Sequence, residues 1–302
     1  MKSLVKFLFF GNYFYGFCVL ALIIESTFQQ ELNFLHPAFY LLLFFSTIIY
    51  YTKAYINLNN PQSVNPRILW YTTHAKTISK LQYSYVLFSL VVVLFYIYHL
   101  FFILRLSFSI FLFNSFYLLP FPIVAGLYYG LSKNGIGKQN IRKIGWLKPI
   151  IIGFTWAGIT SIFPFVFNAM EAHQFIIFSN TIILLFIKNM MFVITLAIMF
   201  DIKDYASDYN QELKTFVVQF GLRKTIFFIL LPLTIVGLSS FLMVAQLKDF
   251  SSIKIILNTI PFIALLYVAY SMKKRRSILY YLIIIDGLLL LKGICGSFSM
   301  FF

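Results

Sequence analysis

Three aspartates, Asp201, Asp204 and Asp208, stand in Phe200-Asp-Ile-Lys-Asp-Tyr-Ala-Ser-Asp-Tyr209, where a long apolar run ends. On a helix of 3.6 residues per turn, positions i, i+3 and i+7 fall on one face, within about 60° of one another. Like charges so placed repel, so the spacing calls for a compensating positive charge. A divalent cation with oxygen ligands is the economical one, and it would let carboxylates hold phosphate oxygens that they cannot hold alone. The wider charge pattern points to the same place. Asp201, Asp204, Asp208 and Glu212 are the acids of the base-rich side of the chain, gathered within twelve residues rather than scattered, which argues for a site.

The elements that must carry these residues are membrane spans. The chain is 61% hydrophobic and 11% charged, with a mean hydropathy of +0.87, far outside the range of soluble domains. Apolar runs long enough to cross a bilayer number nine, at about 4–24, 37–57, 81–103, 107–130, 147–168, 177–200, 225–246, 254–272 and 277–299. With the N-terminus cytoplasmic, nineteen lysines and arginines fall on the inner side. Arg105, Lys248 and Lys254 fall on the outer side, as the positive-inside rule requires. The expectation is an all-α polytopic membrane protein of nine transmembrane helices, N-in, forming one helical-bundle domain over residues 1–302. The net charge of +15 then reports orientation and contact with an anionic leaflet, not nucleic-acid binding. A location in the cell inner membrane follows if the source is bacterial.

Polar material collects in three inner segments, about 54–80, 131–146 and 201–224. Cys18 and Cys295 lie in the first and last spans and read as packing residues. The four histidines are far apart in sequence, without metal-ligand spacing, and the Gly130 to Gly135 stretch lacks the lysine of a phosphate loop. Within the spans, Lys188 and Asp286 lie at similar depth and are expected to pair. Lys292 is expected to snorkel, and Glu25 to sit on the outer side.

The stretch from Phe200 to Gly221, with its aspartates, polar loop, Lys214-Thr215 and closing glycine, resembles the second aspartate-rich motif of the UbiA superfamily of membrane prenyltransferases. Leu127-Tyr-Tyr-Gly130, the basic loop that follows, and Lys148-Pro-Ile-Ile-Ile-Gly-Phe-Thr-Trp-Ala157 are similar to that family's loop between helices four and five and its fifth helix. The resemblance implies transfer of a polyprenyl group from its diphosphate to an aromatic or other lipophilic acceptor, with Mg²⁺ between carboxylates and diphosphate. By the family's spacing, Asp204 and Asp208 would be the metal ligands with Asp201 in support. Lys214, Lys133 and Lys138 would face the diphosphate, and Tyr128 and Tyr129 would stabilise an allylic cation.

The chain departs from the family at the first motif. The matching region, Tyr50-Tyr-Thr-Lys-Ala-Tyr-Ile-Asn-Leu-Asn-Asn-Pro61, has no carboxylate, and none occurs between Glu31 and Glu171. Asn57 and Asn60 offer neutral oxygens there, while Lys53 and Arg67 offer direct contacts to phosphate. Two other readings stand beside the enzyme: a non-catalytic relative that keeps the fold and binds an isoprenoid lipid or a partner, and a transporter, whose inverted halves are not visible.

Overall fold

The computed structural model describes residues 2–56, 65–129, 144–210, 212–272 and 280–302. All elements among them are helical. Seven helices are long and apolar enough to cross a membrane, or up to nine if each of two bent pairs is one span. The architecture is that of a polytopic membrane protein.

The chain divides into two compact units. The first, Met1–Leu20 with Phe34–Ser107, holds α1 (Lys2–Phe10), the start of α2 (Tyr13–Gln29), α3 (Pro37–Ile56), α4 (Pro66–Thr73) and α5 (Ala75–Ile103). The first apolar run is not one straight span. It bends by 64° between α1 and α2, where Asn12 takes φ 66°, a left-handed conformation that ends a helix. Asn12 is fully buried and holds the bend: its amide donates to Thr52 Oγ1 at 2.9 Å and Tyr71 Oη at 3.0 Å, and its carbonyl oxygen accepts from Arg67. α3 packs along α5. α4 starts where Asn65 caps the amide of Arg67 and Pro66 supplies a fixed φ.

The second unit, Ala21–Asn33 with Phe108–Phe302, holds the rest of α2 and eight further helices. These are α6 (Phe108–Phe116), α7 (Pro120–Tyr129), α8 (Leu147–Glu171), α9 (Asn180–Asn210), α10 (Phe216–Phe220), α11 (Leu222–Leu247), α12 (Ser252–Ser271) and α13 (Tyr281–Ser299). α6 and α7 form the second bent pair, at 45°, with Pro120 opening α7. α9 is the central element: it packs on both α8 and α11, and two thirds of its span window is buried (67%). Its long apolar stretch is enclosed by protein, and Lys188, the charged residue within that stretch, therefore needs a protein partner.

Candidate functional site

The end of α9 carries Asp201, Asp204 and Asp208 over its last turns. Their environments differ: Asp201 is 0% and Asp208 8% exposed, whereas the Asp204 side chain is 43% exposed. The cause is helical phase. Residues seven apart return to within about 20° of each other, while the i+3 position is turned about 60° away. Asp201 and Asp208 thus share the covered face, and Asp204 lies toward its edge, where Lys203 pairs with it at 3.3 Å.

The partner of Asp201 comes from the first turn of α8. Lys148 Nζ donates to Asp201 Oδ1 at 2.6 Å, and the ammonium also interacts electrostatically with Tyr128 and Asp208. Asp201 Oδ2 is buried without a hydrogen-bond partner among the described residues. The loop after α9 folds back on this end of the unit. Leu213 donates its amide to the carbonyl of Asp208 at 2.9 Å, and Thr215 caps α10. Gly145, just ahead of α8, lies so close to the Lys214 and Thr215 backbone that a Cβ there would stand 2.5 Å from Lys214 C. The exposed Lys214 is thereby brought to the α8 end. One end of the second unit gathers Tyr128, Lys148, Asp201, Asp208 and Lys214.

Lys148 is the residue that sequence reasoning missed. The signal was available: Lys148 opens one span as Asp201 closes another, and both belong to the same side of the chain. Of the remaining sequence candidates, Lys53 is exposed on α3. Arg67 is buried, held by Asn12 and the Phe10 carbonyl, with its guanidinium 4.2 Å over the Tyr55 ring. Both belong to the first unit. Asn57, Asn60, Lys133, Lys138 and the side chain of Tyr129 lie outside the described residues.

Among the described residues no group of three Asp, Glu, His or Cys side chains could hold a metal ion. Mg²⁺ commonly takes only one or two carboxylates and completes its shell with phosphate oxygens and water. Asp201 Oδ2, buried without a hydrogen-bond partner, together with Asp208 on the same face fits that smaller demand. Asp204, turned outward and paired with Lys203, stands apart from it.

A second charged cluster lies farther along α9. Lys188 is 0% exposed, but its partner is not Asp286, as depth alone suggested. Lys188 Nζ donates to Glu25 Oε1 at 2.6 Å and to Gln29 Oε1 at 2.9 Å. Glu25 is buried rather than water-facing, and Lys292 is buried with it rather than reaching outward: Lys292 Nζ donates to Glu25 Oε2 at 2.6 Å and Asn189 Oδ1 at 2.5 Å. Two neighbouring amides complete the arrangement. Gln29 donates to Asn258 Oδ1 at 2.7 Å, and Asn189 to Ser161 Oγ at 2.6 Å. The carboxylate ties α2, α9 and α13, and the two amides extend the network to α8 and α12.

No family model matches the chain, and neither a curated protein nor a solved structure does.

Proposed function

We propose that the chain is a UbiA-like intramembrane prenyltransferase, with nine spans and a cytoplasmic N-terminus, that moves a polyprenyl group from its diphosphate to an aromatic or other lipophilic acceptor. The observation that carries this reading is the pair of covered carboxylates, Asp201 and Asp208, set with Lys148 and Lys214 at the end of α9. In this reading Asp201 and Asp208 hold Mg²⁺, which would neutralise charge on the diphosphate as it leaves. Lys148 keeps Asp201 oriented, Lys214 faces the phosphate oxygens, and the Tyr128 ring stands beside the allylic carbon. The bond from that carbon to the diphosphate oxygen breaks, the diphosphate leaves with the electron pair, and the acceptor bonds to the carbon and gives up a proton.

One observation favours a second reading, a non-catalytic isoprenoid-binding protein: no carboxylate stands between Glu31 and Glu171 to share the metal. The deciding experiment is binding of farnesyl diphosphate to the protein in nanodiscs, with Mg²⁺ and with chelator, for wild type and Asp208→Asn. The enzyme reading expects Mg²⁺-dependent binding that the variant loses, followed by prenylated product in an acceptor screen. Binding without turnover on any acceptor selects the second reading, and no binding removes both.

A further inference from the structure

The first unit encloses a cavity of about 150 Å³, about the size that admits one six-membered ring. It lies among α1 to α5, and aromatic side chains from four of them line it: Phe7, Tyr13, Trp70, Tyr71 and Tyr85. Phe7 and Tyr13 stack at 4.7 Å between centroids, and Trp70 meets Tyr71 edge-on at 5.2 Å. Among the described residues no aspartate, glutamate, lysine or arginine lines the cavity, so the chemistry of the wall selects a neutral ligand.

The polar groups decide which neutral ring. A hydrocarbon or simple phenol needs at most one or two hydrogen bonds, and this wall offers more. Gln82 and Thr77 line the cavity, and neither side chain has a hydrogen-bond partner among the described residues. The Trp70 indole N–H is likewise without a protein acceptor there. His74 places Nδ1 2.9 Å from the Trp70 carbonyl. Nδ1 must donate in that bond, which leaves Nε2 as an acceptor in the neutral ring. The Tyr13 and Tyr85 hydroxyls bond each other at 2.7 Å, a contact that uses only one of their two hydrogens. His74 and Thr77 are exposed, so the cavity opens to the outside at the α4–α5 junction and leaves room for substituents on the ring.

We infer that this cavity is a binding site for a neutral, polyhydroxylated six-membered ring: a monosaccharide unit, free or as the headgroup of a glycolipid. Ring faces take the apolar face of the sugar, and Gln82, Thr77, Trp70 and His74 take its hydroxyls. The site belongs wholly to the first unit and does not depend on the prenyl-transfer reading.

The test uses the full chain in nanodiscs free of sugar detergents. Trp70 fluorescence is followed in a Trp146→Phe/Trp156→Phe background during titration with glucose, galactose, n-octyl β-D-glucoside, n-octanol and p-cresol. A saturable change with a glycoside or a free hexose, weakened about tenfold by Gln82→Ala and absent with n-octanol, is the expected result, on the scale of one lost hydrogen bond. Response to the free sugars as well as the glucoside identifies a soluble sugar site, and response to the glucoside alone identifies a lipid headgroup site. Binding of p-cresol in preference to every sugar overturns the inference, as does a glucoside response that Gln82→Ala and Thr77→Val leave unchanged. Silence toward all five ligands overturns it too, provided that the same sample keeps the unfolding temperature of wild type.

Discussion

Lys292 Nζ stands 2.6 Å from Glu25 Oε2, although the two residues are 267 positions apart, and the other oxygen of the same carboxylate holds Lys188 at 2.6 Å. All three side chains are 3% exposed or less. Each ammonium also faces a ring, Phe241 at 5.0 Å from Lys188 and Phe192 at 5.8 Å from Lys292. One carboxylate therefore compensates two buried bases. Glu25→Gln keeps the shape but strands both, and breaking a buried ion pair from one side costs about 3–5 kcal/mol. We expect Glu25→Gln to lower the unfolding temperature in detergent sharply, and Glu25→Gln/Lys188→Met/Lys292→Met to recover most of it. A single variant as stable as wild type would show that the carboxylate is not the keystone.

Asn12 does a related task in the first unit with neutral groups. It joins α1, α3 and α4 while its own φ of 66° makes the bend. Asn12→Gly keeps that backbone and removes the hydrogen bonds, at a cost of about 1–3 kcal/mol. Asn12→Ala loses the same bonds and adds left-handed strain, so its unfolding temperature should fall below that of the glycine variant. Equal values would mean that the bend is not fixed by residue 12.

Tyr71, bonded to Asn12 and donating to the Phe10 carbonyl at 2.8 Å, adds a pH signature. Burial pushes its hydroxyl above the usual phenol value of 10.0, against the opposing charge of Arg67. A folded-state value above the unfolded one stabilises fully below pH 10.0 and is lost as pH rises from there. Wild type should therefore lose stability more steeply than Tyr71→Phe when unfolding is followed from pH 9 to pH 11. Parallel curves would mean that Tyr71 is solvated in the native state.

The spans were legible because lipid tolerates little but apolar side chains, and the same demand hid the polar core. Glu25 lies near the end of an apolar run, and an acid at such an edge reads as a water-facing one. Its lysines stand 163 and 267 residues away, where no local spacing reports them. The three-aspartate face was correctly phased in sequence, yet periodicity cannot say which edge is covered. That follows from where α8 packs on α9, which turns Asp201 and Asp208 inward and leaves Asp204 out. Lys148 was hidden for the reason that hid Glu25: its partner is 53 residues on.

Gly145 tests whether the Lys214 loop and the start of α8 act as one piece. With a Cβ placed 2.5 Å from both Lys214 C and Thr215 N, a methyl group meets backbone rather than a yielding side chain. Gly145→Ala should push the loop away and destabilise by about 1–3 kcal/mol, the usual cost of overpacking. Gly145→Val should do more. If prenyl diphosphate binds as proposed, both variants should weaken it in proportion. Full stability in Gly145→Val would show that the loop moves freely from α8.

Gly221 separates space from conformation. It sits between α10 and α11 with φ 77° and ψ 162°, a region almost closed to other residues, yet a Cβ there would meet nothing within 4 Å. Crowding is thus absent, and any loss in Gly221→Ala measures backbone strain alone, at about 1–3 kcal/mol. The turn is also fastened: the Gly221 amide donates to Val217 O at 2.9 Å, and the Thr225 hydroxyl donates to Gly221 O at 2.9 Å. Thr225→Val removes the second bond without touching φ, for about 0.5–1.5 kcal/mol. Strain and the bond act on the same turn, so the double variant should fall short of the sum once the alanine has displaced the carbonyl. Unfolding temperatures of the two single variants and the double one decide it. Strict additivity would mean that Gly221→Ala is absorbed by a local backbone shift that leaves the Thr225 bond in place.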